Sequence, residues 1–87
     1  MFQYHAAFYE GESDWIVAKL LDFPGVLSQG KTLASARRMI RSALQELAES
    51  LLQKGEGLPS PNPKAKDKKA IFQEVIPLVI QVPAGLP

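Results

Sequence analysis

Apolar and polar side chains alternate from the first residues onward. Phe2, Tyr4, Ala6 and Phe8 fall on one side of the chain, with Gln3, His5, Ala7 and Tyr9 on the other. A period of two with aromatic enrichment predicts a half-buried strand over residues 2–9. Glu10-Gly11-Glu12-Ser13-Asp14 is a polar turn of hairpin length. A second strand is expected over 15–21, where Ile16 and Val17 supply β-branched bulk. Asp22-Phe23-Pro24-Gly25 then interrupts the run. Pro at the second turn position and Gly at the third suit a type II turn, since Gly accepts the positive φ required there. A short extended piece over 26–29, closed by Gly30-Lys31, completes a three-stranded antiparallel meander.

The pattern then changes period. Leu33, Ala36, Ile40, Ala43, Leu44, Leu47, Ala48 and Leu51 recur at three- and four-residue spacing, which predicts an amphipathic helix. Thr32 is a good N-cap, and Gly55 stands where a C′ residue belongs. Such a helix lies across one face of the sheet and closes a two-layer core. Residues 58–70 hold Pro59, Pro61 and Pro63, then Lys64, Lys66, Asp67, Lys68 and Lys69. They read as an exposed, extended connection. Residues 71–82 are apolar and β-branched and predict a last strand, which Pro77 consigns to an edge or a bulge. The tail over 83–87 is expected to fray. The organisation is therefore one α+β domain of order β-β-β-α-β, an antiparallel sheet with one amphipathic helix packed on one face. The meander and helix occupy 1–57, the linker 58–70 and the C-terminal strand 71–83.

Composition narrows the function classes. At 87 residues, with no cysteine, the chain forms neither a disulfide scaffold nor a thiolate zinc site. Domains of this size are marginally stable unless a partner or second copy covers more apolar surface. The N-terminus lacks a basic segment followed by an apolar core, and the apolar stretch over 75–80 is too short to span a bilayer. A soluble cytoplasmic protein is expected. A net charge of +1 argues against strong non-specific binding to nucleic acid.

Candidate chemistry is sparse. His5 is the single histidine, on the polar side of the first strand, where a solvated side chain competes with a general base. Glu10, Glu12 and Asp14 crowd one turn, where acidic residues serve solubility, and the rest of a metal ligand set is missing. No glycine-rich loop enters a helix in the manner of a phosphate cradle. No cofactor, metal or catalytic residue is expected. Lys31, Arg37, Arg38 and Arg41 cluster toward the N-terminal half of the helix, with Glu46 and Glu49 toward the other end. The macrodipole opposes that order by about 0.3–1 kcal/mol per exposed charge. The cluster is either a solvated face or a contact for an anion or nucleic acid. Trp15, Phe23, Tyr4 and Phe8 lie on the meander and are either core or part of a binding patch.

The run Asp22-Phe23-Pro24-Gly25-Val26-Leu27-Ser28-Gln29-Gly30-Lys31-Thr32 resembles the turn, short strand and helix cap of HicB-like antitoxins. The helix over 33–52, the exit Gly55-Glu56-Gly57-Leu58-Pro59-Ser60-Pro61 and the late strand with its Ile-Pro also match. The resemblance implies a cut-down ribonuclease-H-like fold without that enzyme's acidic centre. It implies a protein that binds and silences a HicA-type toxin, an RNA-cleaving enzyme, and that assembles as a dimer or tetramer. The chain departs from the family pattern at Ser35, where family members often carry a glutamate, so a reciprocal capping box is not expected. Family members also often carry a C-terminal DNA-binding domain; the two dozen residues after Pro63, the last proline of the linker, are too few for one, so DNA binding is not expected.

The reading is a HicB-like antitoxin acting by steric occlusion through the meander and the following turn, with Trp15, Asp22, Phe23, Pro24 and Gly25 as partner-binding residues. The rival readings are a small nucleic-acid-binding domain using the basic helix face and linker lysines, an orphan oligomeric interaction protein, and a small hydrolase or ligand binder centred on His5.

Overall fold

A computed structural model describes residues 2–79. β1 (Gln3–Glu10), β2 (Ile16–Leu20), β3 (Leu27–Gly30), α1 (Leu33–Gln53) and β4 (Phe72–Pro77) follow in the expected β-β-β-α-β order. The strands form one antiparallel sheet of order β3-β2-β1-β4. The far end of the predicted last strand and the 83–87 tail lie outside the described residues.

The alternation in β1 sets which face is covered. Tyr4, Ala6 and Phe8 are fully buried, and their register places Ala18 and Leu20 of β2 and Ile76 of β4 on the same face. Against them α1 sets Ala36, Ile40, Leu44 and Ala48, one residue every fourth position. Each large side chain sequestered this way contributes about 1.5–3 kcal/mol, so the stripe read from the sequence is the core.

Turn chemistry agrees in detail. The Val26 amide returns to the Phe23 carbonyl, with Pro24 and Gly25 between them and Gly25 at φ +87°. That is the expected type II turn. The helix ends in a Schellman motif: Gly55 at φ +74° donates to Leu52, and Glu56 donates to Leu51. Between β1 and β2 the chain turns through Ser13 and Asp14, both at positive φ (55° and 64°), and the Trp15 amide bonds the Glu12 carbonyl.

Two expectations are corrected. The capping box is present. The Thr32 hydroxyl accepts from the Ser35 amide (3.0 Å), and the Ser35 hydroxyl accepts from the Thr32 amide (3.0 Å). The short serine side chain closes the box within the first helical turn, and β3 packs closely against that turn. Gly30 makes that approach possible: a Cβ there would collide with Ser35 and with the Ala36 amide.

The second correction concerns residues 58–70, which form a strap rather than a free connection. Tyr4 donates its hydroxyl to the Pro59 carbonyl (2.7 Å), Asn62 donates its amide to Asp22 (2.9 Å), and Tyr9 donates its hydroxyl to Asp67 (2.6 Å). Gln73 of β4 donates its amide to the Ala65 carbonyl. His5, Ala7 and Tyr9 share the sheet face opposite α1, and the strap runs between the anchors at either end of that row. Ala7, fully buried on this face, lies beneath it. The strap is not extended throughout, since turns at Asn62–Ala65 and Asp67–Ala70 fold its second half, while Lys64, Lys66, Lys68 and Lys69 remain exposed as expected.

Candidate interaction surface

The turn after β2 divides its residues between interior and surface. Phe23 is core, its ring 5.0 Å from that of Tyr4. Asp22 is buried as well, and its carboxylate accepts from the His5 amide (2.8 Å), the His5 ring at Nδ1 (2.7 Å) and the Asn62 amide. Burial alone would push this carboxyl up. The His5 amide and ring, with the Asn62 amide, outweigh it and hold the group below its usual range. His5 is accordingly not the solvated strand histidine the alternation suggested: its side chain is 14% exposed and locked onto Asp22. Only Pro24 and Gly25 of this turn face solvent.

Trp15 sits elsewhere. It is half-buried at the opposite end of β2, about 17 Å of strand away from the turn. The Lys31 ammonium lies 5.8 Å from its ring centre. With Gly11, Ser13, Val17 and Gln29 it borders a shallow depression on the strap side of the sheet. The five residues expected to bind a partner therefore fall into two separate places, two of them inside the molecule.

The basic set divides in the same way. Arg37 bonds Glu74 of β4 at 2.6 Å and lies over the Phe72 ring, so it joins helix to sheet. Lys31 belongs with Trp15. Arg38 and Arg41 project into solvent from α1.

The surface that sequence reasoning missed adjoins the turn. A groove of about 310 Å³ runs between the start of β3 and the second half of α1, bordered by Gly25, Leu27, Ala43, Glu46, Leu47 and Ser50. Leu27, 60% exposed, stands at its edge. Ala43 and Leu47 were legible as helix-stripe residues. Their partial exposure follows from the shortness of β3, whose four residues cannot cover the whole apolar arc of the helix.

Two tyrosines are also tuned by the strap. Burial and the neighbouring Asp22 raise the Tyr4 phenol. Burial and the bond to Asp67 push Tyr9 up to about 12, while that bond, with the Lys69 amide, lowers Asp67. Among the described residues no three histidine, cysteine or acidic side chains gather as a metal group, and no helix is long and apolar enough to cross a membrane.

A four-stranded antiparallel sheet of order β3-β2-β1-β4, carrying one helix between its third and fourth strands, defines the fold class: the α+β fold of HicB antitoxin N-terminal domains. The crystal structure of that domain from the Burkholderia pseudomallei antitoxin HicB matches with a TM-score of 0.78 at 20% identity, covering 91% of this chain and 100% of its own. The Burkholderia pseudomallei HicB structure that extends beyond this domain matches with a TM-score of 0.73 at 20% identity, covering 100% of this chain and 76% of its own. No protein-family model matches the chain, and no curated protein matches it significantly. The likeness is one of fold, and it agrees with the architecture that the sequence resemblance implied.

Proposed function

We propose that this chain is a HicB-like antitoxin that binds a HicA-type, RNA-cleaving toxin in the cytoplasm and silences it by covering its RNA-binding surface, with no bond made or broken. The observation that carries this reading is the match to the HicB N-terminal domain over nearly the whole chain. The groove beside Pro24 and Gly25 is the binding surface. Leu27 and Leu47 supply apolar anchors, and Glu46 on its rim, with Glu49 one turn along α1, supplies acidic charge. An RNA-binding surface is necessarily basic, so an acidic rim around an apolar centre complements it.

Mixing the purified chain with a HicA-type toxin should give a stable complex and suppress RNA cleavage. Leu27→Asp and Glu46→Lys should each weaken the complex by about tenfold or more. Failure of the unaltered chain to bind any such toxin overturns the reading.

The exposed strap lysines, with Arg38 and Arg41, favour nucleic-acid binding as the second reading. It requires affinity for RNA or DNA that falls steeply with added salt. No shift at low ionic strength removes it.

A further inference from the structure

The two faces of the sheet are unequally covered. α1 closes one of them, and on the other the strap lies along β1 and reaches β4 through Gln73. Among the described residues nothing covers β2 and β3 on that second side. Ala7 and Tyr9 point to it, so their cross-strand partners Lys19 and Val17 do too, and through Val17 so does Gln29. Trp15 and Lys31 extend the same face by one more row, where the ammonium sits over the indole.

One arrangement occurs twice on this open half. Lys19 sets its ammonium 5.5 Å from the centre of the Tyr9 ring, and Lys31 sets its own 5.8 Å from that of Trp15. The Tyr9 ring is held by its hydroxyl bond to Asp67, whereas both lysines are exposed and stand on flexible stems. Val17 and the exposed Gln29 lie between the two pairs, and beside Trp15 the surface sinks into a depression of about 420 Å³. Charge on this side is far from balanced, although the whole chain carries only +1. The strap adds Lys64, Lys66, Lys68 and Lys69 to Lys19, against Asp67, which Tyr9 already engages, and Asp22, which is buried against His5. Glu12 stands at the hairpin end of the depression, so a polyanion is turned away there and drawn toward the strap.

We infer that this open half of the sheet binds a short stretch of single-stranded RNA, with bases stacked on Trp15 and Tyr9 and phosphates held by Lys19, Lys31 and the strap lysines. A ring paired with a movable cation suits a nucleotide: the base takes the ring face, and the displaced ammonium meets the adjoining phosphate. Stacking of this kind needs unpaired bases, which a duplex does not offer. Ser13 and Gln29, each both donor and acceptor, line the depression beside Trp15 and suit the 2′-hydroxyl that deoxyribose lacks. An acidic peptide would meet the lysines and leave both rings unused. The inference rests on the nucleic-acid reading of function and not on the antitoxin reading. It gives that reading a place and a ligand class, and it leaves Arg38 and Arg41, on the helix side, outside the site.

Trp15 is the single tryptophan, so its fluorescence reports the site directly. An oligouridylate of about ten nucleotides should quench it at low salt, and the affinity should fall as salt rises. Measured by anisotropy of the labelled strand, Trp15→Leu should weaken binding by about tenfold, and Trp15→Phe, which keeps a stacking ring, by much less. Lys19→Ala and Lys31→Ala change exposed side chains and spare the core; each should reduce the slope of log affinity against log salt by about 0.7. Joint replacement of Arg38 and Arg41 by alanine should leave binding unchanged. The matching deoxyoligonucleotide and an RNA duplex of the same length should bind about tenfold more weakly or worse. Equal affinity for either of these overturns the inference and spares the broader nucleic-acid reading. So does binding that survives Lys19→Ala and Lys31→Ala but is lost with Arg38 and Arg41. No binding to any of these strands at low salt overturns both.

Discussion

The imidazole of His5 and the carboxylate of Asp22 meet at 2.7 Å, and the same carboxylate also accepts the backbone amides of His5 and Asn62. One buried side chain thereby fastens the central strand, the turn leaving β2 and the strap behind the sheet. Asp22→Ala removes the common acceptor and strands three donors. We expect a loss of about 2–4 kcal/mol in urea unfolding, with Asp22→Asn losing less because its amide oxygen still accepts.

Acid should weaken the fold through this same group. Its folded pKa is depressed, so its contribution is complete above the ordinary carboxylate value of about 3.9 and disappears as pH falls through the lower folded value. Melting temperature followed from pH 6 downward should drop in that window. In Asp22→Asn the drop should be shallower.

Alkali acts on the other end of the strap. Tyr9 is raised to about 12 in the folded chain, so the stability it contributes is complete below an ordinary tyrosine value of about 10 and is lost as pH climbs from there toward the folded value. Tyr9→Phe should flatten the alkaline limb and, because the same hydroxyl holds the Asp67 carboxyl low, also make the acid limb shallower. Ultraviolet titration of the phenolates should place both tyrosines above the usual value in the unaltered chain, Tyr9 at about 12.

The hairpin between β1 and β2 carries avoidable strain. Ser13 and Asp14 both occupy positive φ, a region that disfavours most L-residues by about 1–2 kcal/mol each and that Asn-Gly fills readily. The double substitution Ser13→Asn, Asp14→Gly should stabilise the fold by about 1–2 kcal/mol. A melting temperature equal to or below that of the unaltered chain would refute this.

Glycines 25 and 30 should respond to alanine for different reasons. Gly25 needs its positive φ, but open space surrounds it, so Gly25→Ala should cost about 1 kcal/mol. At Gly30 the added carbon meets the Ala36 backbone, which cannot step aside. Gly30→Ala should cost about 3 kcal/mol and pry the helix start away from β3. Denaturant midpoints distinguish the two.

Much of this architecture is legible in the sequence. The period-two run in β1, the Pro24-Gly25 turn and the four-residue spacing through Ala36, Ile40, Leu44 and Ala48 each state a local rule that the fold obeys. The strap was not legible, because proline and lysine content predicts an exposed connection but neither its two turns nor where it rests. His5 was misjudged for the same reason. Alternation assigns it a face, yet its partner Asp22 stands seventeen positions away and is reached only when the sheet closes. The basic residues on α1 looked equivalent in one dimension. Only the register of β4 separates Arg37, which Glu74 claims, from Arg38 and Arg41. The groove was hidden by arithmetic: a helix of 21 residues packs beside a strand of four.

The placement of β1 has a consequence for biogenesis. It is synthesised before the other strands of this sheet, yet its two neighbours are made at very different times, since register joins Gln3 to Pro77. Until β4 emerges, the nascent chain exposes an unsatisfied strand beside a finished hairpin, and loop closure over that distance is slow. Translation arrest or cleavage ahead of β4 would yield a fragment with an open, aromatic-rich edge, a natural substrate for chaperones and proteases.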